Sequence, residues 1–382
     1  MSSTVPQANQ AAIRKDDRAI CVSLELSQSK WLVTLLAPDS EKLSKYNLAA
    51  GETAKLLSLL EDHRRAVGKR LGQKIRVVTI QEAGRDGFWL HRALQAHGIE
   101  SHVVDPASIA VPRRKRRAKS DRIDGEVLVR TLTAWLRKEP RVCAMVQPPS
   151  VEQEDRRRVS RERDGLIKDR TRMTNRIQSL LATHGVRDYA PLRRDSRARL
   201  EELKAATGEA LPPQLVNEIG RLLDRLALLA TQLKAVEKQR NAQAAESPIA
   251  VQLTRLRGIG PEFASVLWLE CFYRTFPSRR QVAAYSGLAP TPWQSGQIDQ
   301  EQGISGAGNR KLRQTMIELS WLWLMHQPHS DLSRWYFDRV GPTGKGRVKR
   351  ISIVALARKL LVDLWRYVTD GVVPAGAVLK TV

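Results

Sequence analysis

Apolar residues follow three different patterns along this chain, and the changes between them mark its organisation. From Ala19 to Leu36 the sequence AICVSLELSQSKWLVTLL holds two apolar runs around a short polar interruption. That pattern predicts a β-hairpin turning near Ser27–Ser29. Ala54–Leu71 carries apolar residues at helical spacing with Lys and Arg opposite them, which predicts a helix. The β-branched run Ile75–Ile80, IRVVTI, fits a buried strand. Gly84–Gly87 supplies a turn, Phe88–His97 a helix, and Glu100–Val104 a strand that stops at Asp105-Pro106. With a helix opening near Ser120, the order becomes strand, strand, helix, strand, helix, strand, helix. Such an order implies an α/β domain with a mixed sheet.

From Ser150 to Ser247 strand signals vanish, and apolar residues recur at periods of three and four among charged ones. Leu166, Met173, Ile177, Leu180 and Leu181 make one stripe; Val216, Ile219, Leu222, Leu223, Leu226, Leu229, Leu233 and Val236 make another. Two long helices separated by a breaker at Gly208–Pro213 fit this, as an antiparallel coiled coil or a dimerising bundle. The charged residues read as a solvated face. From Gln252 onward Gly and aromatic residues return, and turn signals crowd Gly287–Gly308. A last amphipathic helix is expected over Arg347–Tyr367, with Arg358, Lys359 and Arg366 on it. Trp321, Trp323 and Trp335 read as core or helix-packing residues rather than a base-stacking platform.

Charge narrows the function. With 64 Lys and Arg against 40 Asp and Glu, the 382-residue chain has a formal net charge of +24. Such an excess favours polyanions, and nucleic acid leads over a membrane surface because no run of 18 apolar residues is present. The polar N-terminus MSSTVPQANQ lacks a signal-peptide core. Cys21, Cys143 and Cys271 stand far apart among apolar residues, which argues against a zinc site or a disulfide framework and for a reducing cytoplasm.

The densest local signal is Arg113–Asp124, RRKRRAKSDRID. Arg113, Arg114, Lys115, Arg116, Arg117, Lys119 and Arg122 could hold a polyanion beside Asp121 and Asp124, which at a spacing of three share one helix face. Two further acids fall at strand positions: Glu25 in the first strand pair and Glu82 just past IRVVTI. Carboxylates at neighbouring strand ends and on one helix suit a two-metal phosphodiester site built on magnesium. The competing readings are a solvated basic run with a helix cap, isolated surface carboxylates, and an edge-strand Glu25 facing water. In LRGIGPEFASVLWL, Gly258-Ile259-Gly260 resembles the turn of a helix-hairpin-helix element, whose backbone N–H groups approach a phosphate; an ordinary helix connection is the alternative. Ser295, followed by Gly296, could be a nucleophile toward phosphate or simply shape a turn. Asn309, Arg310, Lys311 and Arg313 could hold the phosphate. No histidine forms an obvious base with Ser295.

Taken together, LRGIGPEFAS, FPSRRQVAAYSGLAPTPWQSG and GNRKLR closely resemble the C-terminal domain of the insertion-sequence-110 family of transposases. VSLELSQSKW, VVTIQEAG, VDP and KSDRIDGEVL are similar to its N-terminal domain, in the same order. The resemblance implies a RuvC-like, RNase H-type domain over 17–150 with a DEDD metal site, a helical coiled-coil region over 151–247, and a mainly helical transposase domain over 248–370. Glu82, Asp121 and Asp124 match the acidic set, and Ser295 matches the serine nucleophile. The first acidic position is normally Asp, where this chain offers Glu25, one methylene longer. The implied activity is site-specific DNA recombination with Mg2+, directed by a structured guide RNA from the same element. It would be carried out by a homo-oligomer at the nucleoid in a bacterial cytoplasm. A metal-dependent junction nuclease using water, with Ser295 dispensable, and an inactive nucleic-acid-binding relative are the alternatives.

Overall fold

The two apolar runs at the start form strands β1 (Ala19–Leu26) and β2 (Lys30–Leu36), joined at the expected turn, in a computed structural model of the chain. The structure describes residues 19–84, 87–109, 121–295, 298–342 and 344–380; for residues 107, 121–124 and 292–302 this covers the backbone alone. The chain divides into two compact units, one ending at Pro149 and the other beginning at Ser150.

The N-terminal unit is built on a six-stranded sheet in the order β3-β2-β1-β4-β5-β6. β1, β2 and β3 (Leu43–Ala49) form an antiparallel meander. β4 (Arg76–Glu82) and β5 (Glu100–Val104) run parallel to β1, and the short β6 (Met145–Val146) closes the far edge antiparallel. β3 is absent from the sequence expectation for a physical reason. It is an edge strand, none of its residues is buried, and LSKYNLA has no clear alternation. One face of the sheet packs Ile20, Val22, Leu24, Trp31 and Val33 against helices α1 (Thr53–Leu71) and α2 (Trp89–Ala96). The other packs Ala19, Cys21, Val78 and Ile80 against Leu128, Val129 and Leu132 of α3 (Asp121–Leu136). Three antiparallel strands followed by parallel ones, with helices on both faces, make an RNase H-like mixed sheet.

The second unit opens with two long helices, α4 (Val151–Ala182) and α6 (Pro213–Glu246), linked through the short α5 (Ser196–Glu201). α4 starts at a capping box: Ser150 Oγ accepts from Gln153 N, and Gln153 Oε1 accepts from Ser150 N. Pairs Arg176–Glu218 and Arg163–Glu237, at opposite ends of the contact, set the helices antiparallel. Ile177, Leu181, Ile219, Leu222, Leu223 and Leu226 fill the space between them with Val186, Tyr189 and Leu200 of the link. The first helix ends at Ala182, well before the glycine-proline breaker expected to divide the pair, because Gly185 turns the chain at φ +77°.

The charged residues of this region are not all a solvated face. Arg157 and Arg240 are each 7% exposed. Arg163 bridges Glu237 at 2.8 Å and Glu262 at 2.6 Å. Arg157 and Arg163 meet groups some 70 to 110 residues away, and Arg240 meets Asn241 and Glu262, so local periodicity could not separate them from a wet surface.

The remaining elements pack around Trp323. They are α7 (Pro248–Thr254), α8 (Pro261–Leu267) with the π-helical segment Trp268–Phe272, α9 (Arg279–Tyr285), β7 (Pro290–Ser295), β8 (Ile298–Ile304), α10 (Arg310–His326), α11 (Asp331–Val340) and α12 (Gly346–Asp370). α12 buries Leu360, Leu361, Leu364 and Tyr367 in the core that holds Trp323. Trp323 is fully buried and donates to Ser330 Oγ at 2.9 Å. Trp335 is half-buried, with the Lys359 ammonium 4.7 Å from its ring centre. Trp321 is 43% exposed and packs edge-on against Tyr336 of α11, with ring centres 6.2 Å apart, as a helix-packing rather than a core residue.

Candidate active site

The acids of the N-terminal unit are placed by strand register. In the parallel β1–β4 pair, Ala19 lies beside Arg76 and Leu24 beside Gln81. One step further along each strand are Glu25 and Glu82, the latter ending β4 and paired with Val104. Registered residues on neighbouring strands point to one face. Here it is the face that carries Cys21, Val78, Ile80 and Val104, against which α3 packs.

α3 approaches that face closely. Ser23 Oγ donates to the Gly125 carbonyl at 2.9 Å. A methyl group on Gly125 would stand 2.6 Å from Glu25 Oε1 and 2.7 Å from Thr34 Oγ1, so any larger residue there forces α3 or those side chains to shift. Asp124 immediately precedes Gly125, and Asp121 begins the helix. Glu25 therefore lies against the first turn of α3, beside the backbone of Asp124; the side chains of Asp121 and Asp124 lie outside the described residues. The basic run Arg113, Arg114, Lys115, Arg116, Arg117 and Lys119 also lies outside them, as does the side chain of Arg122.

The donor set is oxygen only, which suits a hard divalent cation. Two observations fit such an ion. Glu25 and Glu82 share a face at one end of the sheet, and the buried Thr34 hydroxyl, next to the Glu25 carboxylate at Gly125, has no hydrogen-bond partner among the described residues. Among those residues, which do not include the side chains of Asp121 and Asp124, no three His, Cys, Asp or Glu side chains group closely enough to hold a metal. Sequence reasoning missed Gly125, Ser23 and Thr34. The signal for Gly125 was a glycine inside a helix, which costs stability unless something must come close.

In the second unit, Ser295 ends β7 and pairs with Ile298 of β8. The crowd of turn signals is thus largely a hairpin, with Ser295 as the last residue of its first strand rather than in an open loop. The feet of the hairpin are tied together: Ser305 N donates to Ala289 O at 2.9 Å and Asn309 N to Tyr285 O at 2.8 Å. Gly287 adopts φ +70°, and a side chain there would collide with the Ala307 carbonyl.

The proposed phosphate-holding group has mixed fates. Asn309 caps α10 by accepting from Leu312 N at 3.0 Å and donates from Nδ2 to Glu270 Oε2 at 2.9 Å. Lys311 pairs with Asp164 at 2.5 Å, and Arg313 donates to Ser286 O at 3.2 Å. Arg310 is exposed. The Gly258-Ile259-Gly260 turn joins two seven-residue helices, α7 and α8. Gly258 packs on His326, Ile259 is fully buried, and nothing crowds Gly260.

Glu270, 3% exposed, escaped the sequence reading although it is the lone acid in the apolar run Val266–Phe272. Nearby, burial raises the Cys271 thiol and the Tyr285 hydroxyl well above their ordinary ranges. No helix among the described residues is long and apolar enough to cross a membrane.

Comparison with known proteins agrees with this layout. Residues 24–185 match a model of DEDD transposases of IS110 type, described as Transposase, and residues 250–333 match one described as Transposase IS116/IS110/IS902 family. A protein of Sinorhizobium fredii (strain NBRC 101917 / NGR234) named "Putative transposase y4rJ" is 56% identical over 97% of both chains. The transposase for insertion sequence element IS1111A of Coxiella burnetii is 26% identical over 78% of both chains. That for element IS1328 of Yersinia enterocolitica is 26% identical over 60% of this chain and 67% of its own. An RNase H-like domain with acids at its strand ends, a helical second unit and near full-length similarity meet in one conclusion: the chain belongs to the IS116/IS110/IS902 family of transposases, enzymes that cut and rejoin DNA.

Proposed function

We propose that this transposase acts at the ends of its own insertion sequence through two groups of residues, an acidic cation site and a serine nucleophile. Glu25, Glu82, Asp121 and Asp124 would hold divalent magnesium. When bound, such ions stabilise charge on the attacking and leaving oxygens of a phosphodiester. The observation that carries this reading is the placement of Glu25 beside Glu82 on the sheet face that α3 approaches at Gly125. Glu25 is one methylene longer than the family's aspartate, and Gly125 leaves room for that extra reach.

Ser295 Oγ attacks the DNA phosphorus, leaving one end esterified to the serine and the other with a free hydroxyl. Attack on that ester by a hydroxyl of a different end rejoins DNA and releases the serine. Arg310, exposed at the start of α10, meets the phosphate in this scheme, while Asn309, Lys311 and Arg313 hold the backbone around it. The basic segment Arg113–Lys119 and the open side of the hairpin at Gly260 bind nucleic-acid phosphates in the manner of a helix-hairpin-helix element. Sequence choice rests on base pairing to a structured guide RNA, in keeping with a net charge of +24 and no recognisable base-reading motif. The α4–α6 pair is a coiled-coil arm between a RuvC-like domain over 17–150 and a transposase domain over 248–370, and joins copies of the chain into a homo-oligomer.

The test is divalent-dependent cleavage of DNA carrying the element ends, with its RNA present. Glu82→Gln and Asp121→Asn should each abolish cleavage while leaving DNA retention intact. Cleavage that survives both substitutions would remove the acidic site from the mechanism.

A further inference from the structure

The strand that carries Ser295 is anchored through a buried carboxylate. Glu270 lies in the π-helical segment that follows α8, and the two oxygens of its carboxylate have different partners. Oε1 accepts from Arg161 of α4, at 3.2 Å from Nη2 and 3.4 Å from Nε. Oε2 accepts from Asn309 Nδ2 at 2.9 Å. Asn309 is the foot of the β7–β8 hairpin: its N–H binds Tyr285 O, and its Oδ1 caps α10.

The polarity of this chain of contacts is forced. Capping requires the amide oxygen to face Leu312 N, so the amide nitrogen must face Glu270, and only an acceptor can sit there. A second contact runs alongside it. Asp164, three residues after Arg161 on α4, pairs with Lys311, two residues after Asn309. One face of α4 therefore grips the hairpin foot at two neighbouring points.

We propose that Glu270 is a positioning residue for the serine strand, coupling the seat of the β7–β8 hairpin to α4 through Asn309 and Arg161. The inference rests on the reading of Ser295 as nucleophile. Because α4 is also half of the long helix pair, displacement of that pair would be felt at the serine strand. Glu270 touches no reacting atom in this scheme; it sets where the strand rests.

The polarity suggests a rescue that a merely space-filling residue would not show. The side chain of Glu270→Gln has one acceptor oxygen for two donors, so it loses either Arg161 or its 2.9 Å contact with Asn309, which then keeps only the residue-270 main-chain O at 3.3 Å. Asn309→Asp keeps the cap but sets a carboxylate against Glu270. In the double variant the new amide nitrogen donates to the new carboxylate, and that carboxylate still caps α10. The new amide oxygen accepts from Arg161, so the side-chain contacts are restored with the charge moved from one partner to the other, and only the longer donation of Asn309 Nδ2 to the Glu270 main-chain O, 3.3 Å, is lost.

Two readouts are taken on the full-length protein with element-end DNA and RNA. The first is the rate of covalent adduct formation at saturating DNA, set beside the DNA dissociation constant. Each single substitution should slow the rate about tenfold, the loss of one buried charge-assisted hydrogen bond, with the dissociation constant unchanged and the double variant within about threefold of wild type. The second is hydrogen exchange at the backbone amides of 290–304, which needs no chemistry at Ser295. It should rise in both singles and return in the double. Singles that leave both readouts at wild-type values, that weaken DNA binding alone, or that are not rescued together overturn the proposal. A wild-type protein that forms no adduct sinks the serine reading instead, and hydrogen exchange still decides the role of Glu270.

Discussion

Gly125→Ala is the substitution that most sharply separates the close approach of α3 from ordinary helix chemistry. In an exposed helix interior this change gains about 1 kcal/mol from helix propensity. Here the added methyl would meet Glu25 Oε1 at 2.6 Å, Thr34 Oγ1 at 2.7 Å and Ser23 Oγ at 3.4 Å. Real side-chain atoms do not sit at the first two distances, so α3 must lift or Glu25 and Thr34 must turn. Thr34 is a fully buried residue of a strand with neighbours on both sides and has little freedom to move. Overpacking of this kind costs about 1–3 kcal/mol, and lifting the helix also stretches the Ser23–Gly125 hydrogen bond. The net expectation is a loss of about 1–2 kcal/mol, seen in a unit of this size as a melting temperature lower by roughly 2–8 °C. Displacing Glu25 should reduce divalent-dependent cleavage by about 10- to 100-fold. Glu25→Asp in the Gly125→Ala background draws the carboxylate back from the methyl and should recover part of the stability. Differential scanning calorimetry and the cleavage assay report the two effects separately. A Gly125→Ala protein that melts higher than wild type and cleaves normally would refute the placement of Glu25 against α3.

Three further expectations concern the second unit. Trp323→Phe removes the donor to Ser330 and part of a fully buried ring, and should cost about 1–3 kcal/mol in urea denaturation; a loss below ~0.5 kcal/mol would contradict its central place in that core. Glu262→Ala leaves Arg163 and Arg240 short of a carboxylate, and because Glu262 is itself 43% exposed the loss should be about 1–2 kcal/mol; no loss in denaturant titration would show the arginines relaxing into water. Asp363 is held above its ordinary carboxylate range, by burial first, with Arg366 and Lys359 opposing. A raised folded-state value means the folded chain takes up a proton more readily than the unfolded one, so the charged carboxylate is a burden at neutral pH that lightens as pH falls toward its titration. Asp363→Asn should therefore raise the melting temperature at pH 7 and raise it less near pH 4; an equal gain at both would argue against a charge effect.

The parts of the fold visible in the sequence were those whose cause is local. The β1–β2 hairpin showed itself in two apolar runs, α3 in the sequence after the basic run, and α4 and α6 in stripes of leucine and isoleucine. β3 did not, because an edge strand needs no buried face. Nor did the β7–β8 hairpin: PTPWQS holds two prolines and IDQEQGI is mostly polar, so their pairing rests on the backbone ladder and the tied feet rather than on apolar alternation. The site divides in the same way. The spacing of Asp121 and Asp124 is readable along one helix, but placing Glu25 beside Glu82 needs the parallel register across 57 residues of chain. The importance of Gly125 and Glu270 appears only when another element arrives, from Thr34 in one case and from Arg161 and Asn309 in the other.

The most direct test of the account is to trap a covalent protein–DNA adduct. The protein would be incubated with magnesium, its element's RNA and DNA carrying the element ends, then resolved on denaturing gels beside Ser295→Ala and Asp121→Asn. The account predicts a wild-type adduct that is lost in both variants. Cleavage that requires Asp121, proceeds in Ser295→Ala and leaves no adduct would contradict it and identify water as the nucleophile.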